Sequence, residues 1–381
     1  MQPATVVILD FGGQYAQLIA RRVRENHVHS VIVPPDVTVE QLRTHNTIGL
    51  IFSGSPVSVY APNAPRCRPE VLQGGWPILG ICYGLQLACD MLGCEVKAGA
   101  SREFGRTPLE VVDHDVLLAH VPAQTSVWMS HGDIVTELSA DFVPLARTAN
   151  CPYAAAKHKT KPVYGVQFHP EVTHTPCGGQ IIRNFLYDIC GCTGDWQVGN
   201  VVKDGIEAIR RKVGRSDRVI CGLSGGVDSS VAAALIHEAI GDRLTCIFVD
   251  NGLMRSGEVD VVESTFRQHF KIDLRVVDAA DRFLDKLDGV ADPQEKRRII
   301  GHEFIDVFQG EAKKIKHARF LAQGTLYPDV IESGQSVGGQ AANIKLHHNV
   351  GGLPAELGFE LVEPLRDLFK DEVRRVGEHL G

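Results

Sequence analysis

Short runs that are apolar throughout, each leading into a turn and then a helical pattern, constrain this chain most. They are TVVIL (5–9), SVIVP (30–34), IGLIFSG (48–54) and WPILGI (76–81). Helical patterns separate them, such as QYAQLIARRVREN (14–26) and YGLQLACDML (83–92). A strand with one face in water alternates apolar and polar residues, whereas a continuously apolar strand is covered on both faces. Such strands alternating with helices predict a parallel sheet in an α/β domain. From about residue 95 to 166 the runs shorten (LEVVD, SVWMS, DFVPLA, PVYGVQF). This predicts a strand-rich return of the same domain, closed by a helix over GGQIIRNFLYDIC (178–190).

After a linker at CGCTGDWQ (190–197) the alternation restarts. Strands are expected at RVICGL (218–223), LTCIFVD (244–250), LRVVDA (274–279) and ARFLAQG (318–324). Helices are expected at DSSVAAALIHEAI (228–240) and EVDVVESTFRQHF (258–270). The 381 residues favour two domains over one. The expectation is therefore two α/β domains, 1–192 and 193–381. The stretch 332–354 is rich in Gly, Ser and Asn without a clear period, as in a functional or disordered loop.

Composition narrows the classes. The net charge of −7 lacks the basic footprint that nucleic-acid binding needs. No apolar run approaches the ~18 residues of a membrane span, and the N-terminus lacks a signal-peptide pattern. The ten cysteines are scattered, apart from the CGC at 190–192, with no zinc-type pair of pairs. CGC reads as plain thiols rather than a metal or redox pair. A reduced, cytoplasmic setting fits this usage.

Two turns carry chemistry. GICYG (80–84) has the form Gly-x-nucleophile-x-Gly with Cys82 in the central slot. That elbow strains the central residue and requires small flanks. The helix that follows aims its positive end at Cys82, which favours a thiolate. Taken alone, the turn fits an ordinary buried cysteine equally well. A thiol nucleophile needs a base, and YGVQFHPEV supplies His169 with Glu171 two residues on. Residues two apart on an extended chain share a side, so Glu171 can orient His169 toward Cys82. Backbone N–H groups of the turn SGSP (53–56), with that of Tyr83, can form an oxyanion hole.

The second turn, SGGVDSS (224–230), lies between a predicted strand and helix. Its backbone N–H groups can nest around phosphate oxygens. Ser224, Ser229 and Ser230 add hydroxyls, and Asp228 can share a magnesium ion with a phosphate. No P-loop lysine follows. Gly222 to Gly226 also fits Gly-x-Ser-x-Gly, the serine-hydrolase elbow, with His302, His317, His347 and His348 as possible bases. A purely structural turn is the other alternative.

GICYGLQ, QFHPE and the SGSP turn resemble the class I glutamine amidotransferase domain over about residues 5–190. The resemblance implies that Cys82 attacks the glutamine side-chain amide and releases ammonia. It also implies that His169 shuttles the proton and Glu171 orients it. Gly54, Tyr83 and Gln86, with Ser130, His131 and Gly132 of MSHGD (129–133), would then hold glutamine and its oxyanion. SGGVDSS is similar to the signature loop of the ATP pyrophosphatase (PP-loop) superfamily, whose members adenylate a substrate oxygen. That resemblance implies a mixed, mostly parallel sheet for the first domain and a parallel-sheet PP-loop domain, of the adenine nucleotide α-hydrolase type, for the second.

FVDNGLMR (248–255), DPQEKRRIIG (292–301), AQGTLYPDVIES (322–333), IKLHHNVGGLP (344–354) and EPLRDLFKDEVR (363–374) resemble the GMP synthetase family in sequence and order. The resemblance implies ATP, XMP and glutamine as substrates, Mg2+ with ATP, and no tightly bound organic cofactor. ATP would meet Ser224, Gly225, Gly226, Val227, Asp228, Ser229 and Ser230, with Val249 near adenine and Lys370 near the pyrophosphate. Asp228 would meet the metal. Arg297 would meet XMP, and Lys345 and His347 would lie in a lid. Gly13 and Ala16 stand where the family more usually has Ser and Thr. The family also continues past the equivalent of Gly381 into a domain that builds a homodimer and helps bind XMP. The expectation is therefore complete glutaminase and ATP sites beside an incomplete XMP site, with docked domains and no membrane or nucleic-acid partner. An NAD synthetase-like ligase, a chain with glutaminase activity alone, or a non-catalytic remnant are the alternatives.

Overall fold

The computed structural model describes residues 3–334 and 358–381. The chain forms two compact units, the first running to Gln197 and the second starting at Val198.

The first unit is built on a nine-stranded sheet. Its parallel part comprises β1 (Thr5–Leu9), β2 (His29–Val33), β3 (Thr47–Phe52), β4 (Ile78–Ile81) and β9 (Val163–Val166). β5 (Glu95–Val111), β6 (Gln124–Glu137), β7 (Phe142–Arg147) and β8 (Ala155–His158) complete it. The order is β2-β1-β3-β4-β9-β8-β7-β5-β6, parallel from β2 to β9 and antiparallel beyond. Every residue of β1 and of β4 is buried, as a sheet covered on both faces requires. α1 (Ala16–Glu25) covers the sheet with Ala16, Ile19, Ala20 and Val23, a spacing of three and four. Thr38 opens α2 (Val39–Thr44) with a capping box, exchanging hydrogen bonds with Gln41. α3 (Tyr83–Met91) is buried along most of its length.

β5 and β6 are far longer than their apolar runs foretold. β5 is exposed over much of its length, so its pairing with β6 rests on backbone hydrogen bonds more than on burial. The helix expected over 178–190 is α4 (Gly178–Asn184), which widens into one π-helical turn, Phe185–Ile189.

The parallel order reverses between β1 and β3, so the loops after those two strands splay apart into a crevice. Phe11, Phe52 and Tyr83 pin the crevice together, with ring centroids 5.5 and 5.6 Å apart. Each such pair adds about 0.5–1.5 kcal/mol beyond its burial. Phe11 N–H also donates to the Ser53 hydroxyl at 3.0 Å.

The second unit opens with α5 (Val198–Val213), followed by β10 (Arg218–Leu223), α6 (Val227–Ile240) and β11 (Leu244–Asp250). α7 (Glu258–Glu263), β12 (Asp273–Asp278), α8 (Ala280–Leu287), α9 (Pro293–Ala312) and β13 (Ala318–Ala322) come next. Its sheet has the order β12-β11-β10-β13-β14, with β14 at Glu360–Val362, and every pairing is parallel. β10 lies at the switch point, so the loop that leaves it opens into the second crevice. The helix Lys370–Leu380 packs on α6 and α5 and buries Val373 and Val376. A Cβ on Gly377 would fall 2.9 Å from Val231, so this glycine lets the two helices approach. Among the described residues, no helix is long and apolar enough to cross a membrane.

Candidate active site

Cys82 ends β4 and caps α3 at φ 54° and ψ −107°. A non-glycine residue pays for that conformation in strain, and the surroundings enforce it. A Cβ on Gly80 would lie 2.5 Å from the Gly84 carbonyl carbon, and one on Gly84 would lie 2.2 Å from the Phe52 oxygen. Both flanks of the elbow therefore have to be glycine. The Cys82 N–H donates to Val166 O at 2.8 Å, tying the elbow to β9.

His169 leaves β9 beside this elbow. Its backbone N–H donates to Trp128 O at 3.0 Å, and its carbonyl accepts from the Thr175 hydroxyl at 2.7 Å. The buried ring places Nδ1 2.7 Å from Glu171 Oε1. Burial alone would lower the His169 pKa. Hydrogen bonds to Cys82 and Glu171, with the charge of both, outweigh it and raise the value to about 10. The ring thus favours the imidazolium form beside Glu171. Tyr15 stacks edge-on against it at 5.1 Å, and Arg22 Nε donates to Glu171 O at 2.8 Å.

Of the other residues expected to hold glutamine, Gly54 and Ser130 lie against Cys82 itself. A Cβ on Gly54 would lie 3.5 Å from His169 Cε1 and 4.0 Å from Cys82 Cβ. The Tyr83 hydroxyl donates to Pro65 O at 2.6 Å, so Tyr83 can offer the site its backbone N–H, in the first turn of α3 where helical donors have no partner. Cys82 Sγ lies 3.8 Å from Ser130 O. Gln86 Nε2 donates to Asp133 O at 2.8 Å. Gly132 lies against the Arg102 side chain. His131 is buried with Nε2 3.2 Å from Glu103 Oε2. Burial pushes the His131 pKa down, against the Glu103 charge, which favours the neutral ring. Glu103 is held by the Thr148 hydroxyl at 2.9 and 3.1 Å.

Sequence reasoning passed over Glu103, Thr175 and Gln167. For Gln167 a signal existed: it precedes His169 by two residues, as Glu171 follows it by two.

Gly13, which departs from the more usual serine, sits at the crevice wall. A Cβ there would fall 2.3 Å from the Gly54 oxygen, so the Gly54 carbonyl is turned toward Gly13. A trans peptide opposes its N–H to its C=O, so the Ser55 N–H faces away from Gly13.

The second turn is built differently. Ser224, Gly225, Gly226 and Val227 are exposed, and Gly225 takes the positive φ of 74° without strain. Ser224 is absent from the residues with positive φ, unlike Cys82, so it is not the nucleophile of an elbow. Its hydroxyl lies 3.1 Å from that of Ser229, with no histidine in reach among its described hydrogen-bond partners. The hydroxyls of Ser229 and Ser230 donate to Gly226 O at 3.0 and 2.9 Å. Lys370 Nζ reaches the Asp228 carboxylate at 2.6 Å. A Cβ on Gly324, just past β13, would lie 3.2 Å from the Asp228 carbonyl carbon, so the neighbouring strand abuts the loop.

Val249 is buried in the core under this crevice, so its side chain is a packing group and its backbone is what a ligand could meet. Arg297 stands exposed on α9, while its neighbour Arg298 pairs with Glu295. Lys345 and His347 lie outside the described residues.

Residues 7–189 match the glutamine amidotransferase class-I family, and residues 200–281 match the NAD synthase family. Fold, elbow and loop thus define a class I glutamine amidotransferase joined to an NAD synthase-like ATP pyrophosphatase domain. GMP synthase (glutamine-hydrolysing) from Caldanaerobacter subterraneus is 52% identical over 99% of this chain and 73% of its own length. Those of Acetivibrio thermocellus and Ruminiclostridium cellulolyticum are 53% and 54% identical over all of this chain and 74% of their own. The chain belongs to the glutamine-hydrolysing GMP synthase family. These likenesses run through both units, which sets aside the NAD synthetase-like alternative.

Proposed function

We propose that this chain makes GMP from XMP, drawing ammonia from glutamine and activating XMP with ATP. The observation that carries the reading is one chain holding both a Cys82–His169–Glu171 relay and an exposed serine- and glycine-rich loop at a helix start with Lys370 on Asp228.

In the first unit, the Cys82 sulfur attacks the side-chain amide carbon of glutamine. The carbonyl oxygen gains charge and takes N–H donors from Tyr83 and the Gly54–Ser55 turn. The imidazolium of His169 gives its proton to the departing nitrogen, which leaves as ammonia. Neutral His169 then takes a proton from water, which cleaves the thioester to glutamate and restores the thiolate. Glu171 holds the ring in one orientation through Nδ1 and stabilises its charge. Gln86 and the 130–133 segment position the substrate.

In the second unit, the N–H groups that open α6 and the hydroxyls of Ser224, Ser229 and Ser230 cradle the ATP phosphates. Lys370 stands ready for the pyrophosphate, and Val249 offers backbone to adenine. Magnesium bound with ATP would neutralise phosphate charge. Asp228 suits it, since magnesium keeps most of its waters and takes one or two carboxylates beside phosphate oxygens. XMP O2 attacks the α-phosphorus of ATP and pyrophosphate leaves. Ammonia then displaces AMP to give GMP. Arg297, with Lys345 and His347, serves XMP and closure over the nucleotide.

Product analysis tests the reading. With XMP, ATP, magnesium and glutamine, the expected yield is one GMP, AMP, pyrophosphate and glutamate per turnover. ADP with phosphate, or an aminated product from nicotinate adenine dinucleotide instead of XMP, would overturn it. Glutamine hydrolysis should also accelerate when nucleotide occupies the second unit. Equal rates with and without ATP, magnesium and XMP would refute that coupling.

A further inference from the structure

Gln167 is fully buried at the end of β9, and its side-chain Nε2 lies 3.6 Å from Cys82 Sγ. Which end of an amide bears hydrogen follows from its partners. The backbone oxygen of Asp133 can only accept, so the Gln86 atom 2.8 Å from it is the NH2 group. That same NH2 lies 3.2 Å from Gln167, so the Gln167 atom facing it is the oxygen. The end of Gln167 that faces the sulfur therefore carries the hydrogens. A backbone carbonyl fixes Gln86, Gln86 fixes Gln167, and Gln167 has only a donor left for Cys82.

We propose that Gln167 is a further catalytic residue of the glutaminase site, donating an N–H to the Cys82 sulfur, with Gln86 and the Asp133 carbonyl positioning it. This rests on the reading of Cys82 as the nucleophile. A donor to sulfur favours the thiolate, since the bond is charge-assisted only in that form. It therefore serves both moments at which sulfur carries charge. Before attack, it holds the lone pair that forms the carbon–sulfur bond as carbon–nitrogen breaks and His169 protonates the leaving ammonia. In hydrolysis, water adds to the acyl carbon, the carbon–sulfur bond breaks and its electron pair returns to sulfur, where the Gln167 N–H stabilises it. The titratable groups around Cys82 are His169 with Glu171, His131 with Glu103, and Cys151, whose own pKa burial pushes up to about 12. Gln167 is the contact whose donor persists at every pH.

The test is the rate of Cys82 carboxamidomethylation by iodoacetamide in the whole chain, followed by peptide mass spectrometry across pH. Gln167→Glu still accepts from Gln86 but turns an acceptor toward sulfur. On the acid side of the parent's midpoint its alkylation is expected to fall about tenfold, with the midpoint of the profile moved up by about one unit, since one unit is a factor of ten. A thermal melt shows that the variant is folded. If it is not, Gln86→Leu releases the Gln167 amide to rotate, and a smaller upward shift is expected. A folded variant of either kind whose profile overlays the parent's overturns the proposal. Cys82→Ala separates the two readings: continued glutamate release from it would sink the nucleophile assignment itself, whatever Gln167 does.

Discussion

The two turns begin alike, as strand, glycine and helix start, and finish differently. The Cys82 elbow is buried, and its contacts leave no freedom: glycines press on backbone at 2.2 and 2.5 Å, while His169 and Gln167 reach the sulfur. The 224–230 loop is exposed at 224–227 and, among the described residues, bonds mainly to itself, with an ion pair from Lys370 to Asp228. A nucleophile has to be charged and aimed before substrate arrives, so the protein supplies every partner. A phosphate cradle receives its charge with the ligand, so its donors remain open to solvent until then. Positive φ marks the same division, falling on cysteine, where it costs strain, in one turn and on glycine, where it does not, in the other.

The largest expected break in this contrast is Asp228→Asn, which removes the carboxylate that pairs with Lys370 and that the proposed function gives to magnesium. GMP formation should fall on the order of 10²-fold or more with either glutamine or ammonium as donor. Alkylation of Cys82 by iodoacetamide should be unaffected. A variant that loses only the glutamine route would tie this residue to the wrong turn.

Next in size is Glu171→Gln. Removing the anion behind Nδ1 should cost about 10²-fold or more in glutamine hydrolysis, measured as glutamate release. It should also alter stability with a defined sign. The His169 pKa is raised from 6.5 to about 10, so its contribution is complete below pH 6.5 and is lost as pH rises through about 10. Thermal melts at pH 6 and pH 10 should therefore differ more for the parent than for the variant. Equal differences would show that the Glu171 contact does not hold the imidazolium.

The smallest effects separate the glycines. Neither Gly84 nor Gly222 has positive φ, so only the space at their Cα decides what alanine costs. Gly84→Ala drives a methyl into the Phe52 carbonyl and should cost about 2–3 kcal/mol. Gly222→Ala meets the edge of Phe308 at 3.3 Å, which can yield, and should cost under about 1 kcal/mol. Denaturant melts showing the reverse order would mean that the two turns are equally tight.

The sequence made much of this legible. The apolar runs at 5–9, 218–223 and 244–250 became strands with little or no shift in boundaries, because burial on both faces leaves them no alternative pattern. Cys82, His169 and Glu171 could be joined by the elbow form and by period two. β5 and β6 were not legible at full length, since their pairing depends on backbone rather than apolar content. α8 and α9 went unread for a similar reason, as each buries few residues amid charge. The glycines at 13, 54 and 377 look interchangeable in sequence, and their differing roles emerge only from what approaches them in space. Glu103 lies outside the apolar runs of the sequence, and its burial comes with partners more than twenty residues away.

The most direct measurement is GMP formation by Cys82→Ala with each nitrogen donor in turn. The account predicts no GMP from XMP, ATP, magnesium and glutamine, and parent-like GMP when ammonium salt replaces glutamine. Loss of both routes would mean that the elbow is part of the synthetase chemistry. Retention of both would mean that Cys82 is not the source of ammonia. Either outcome would contradict the division of labour between the two turns.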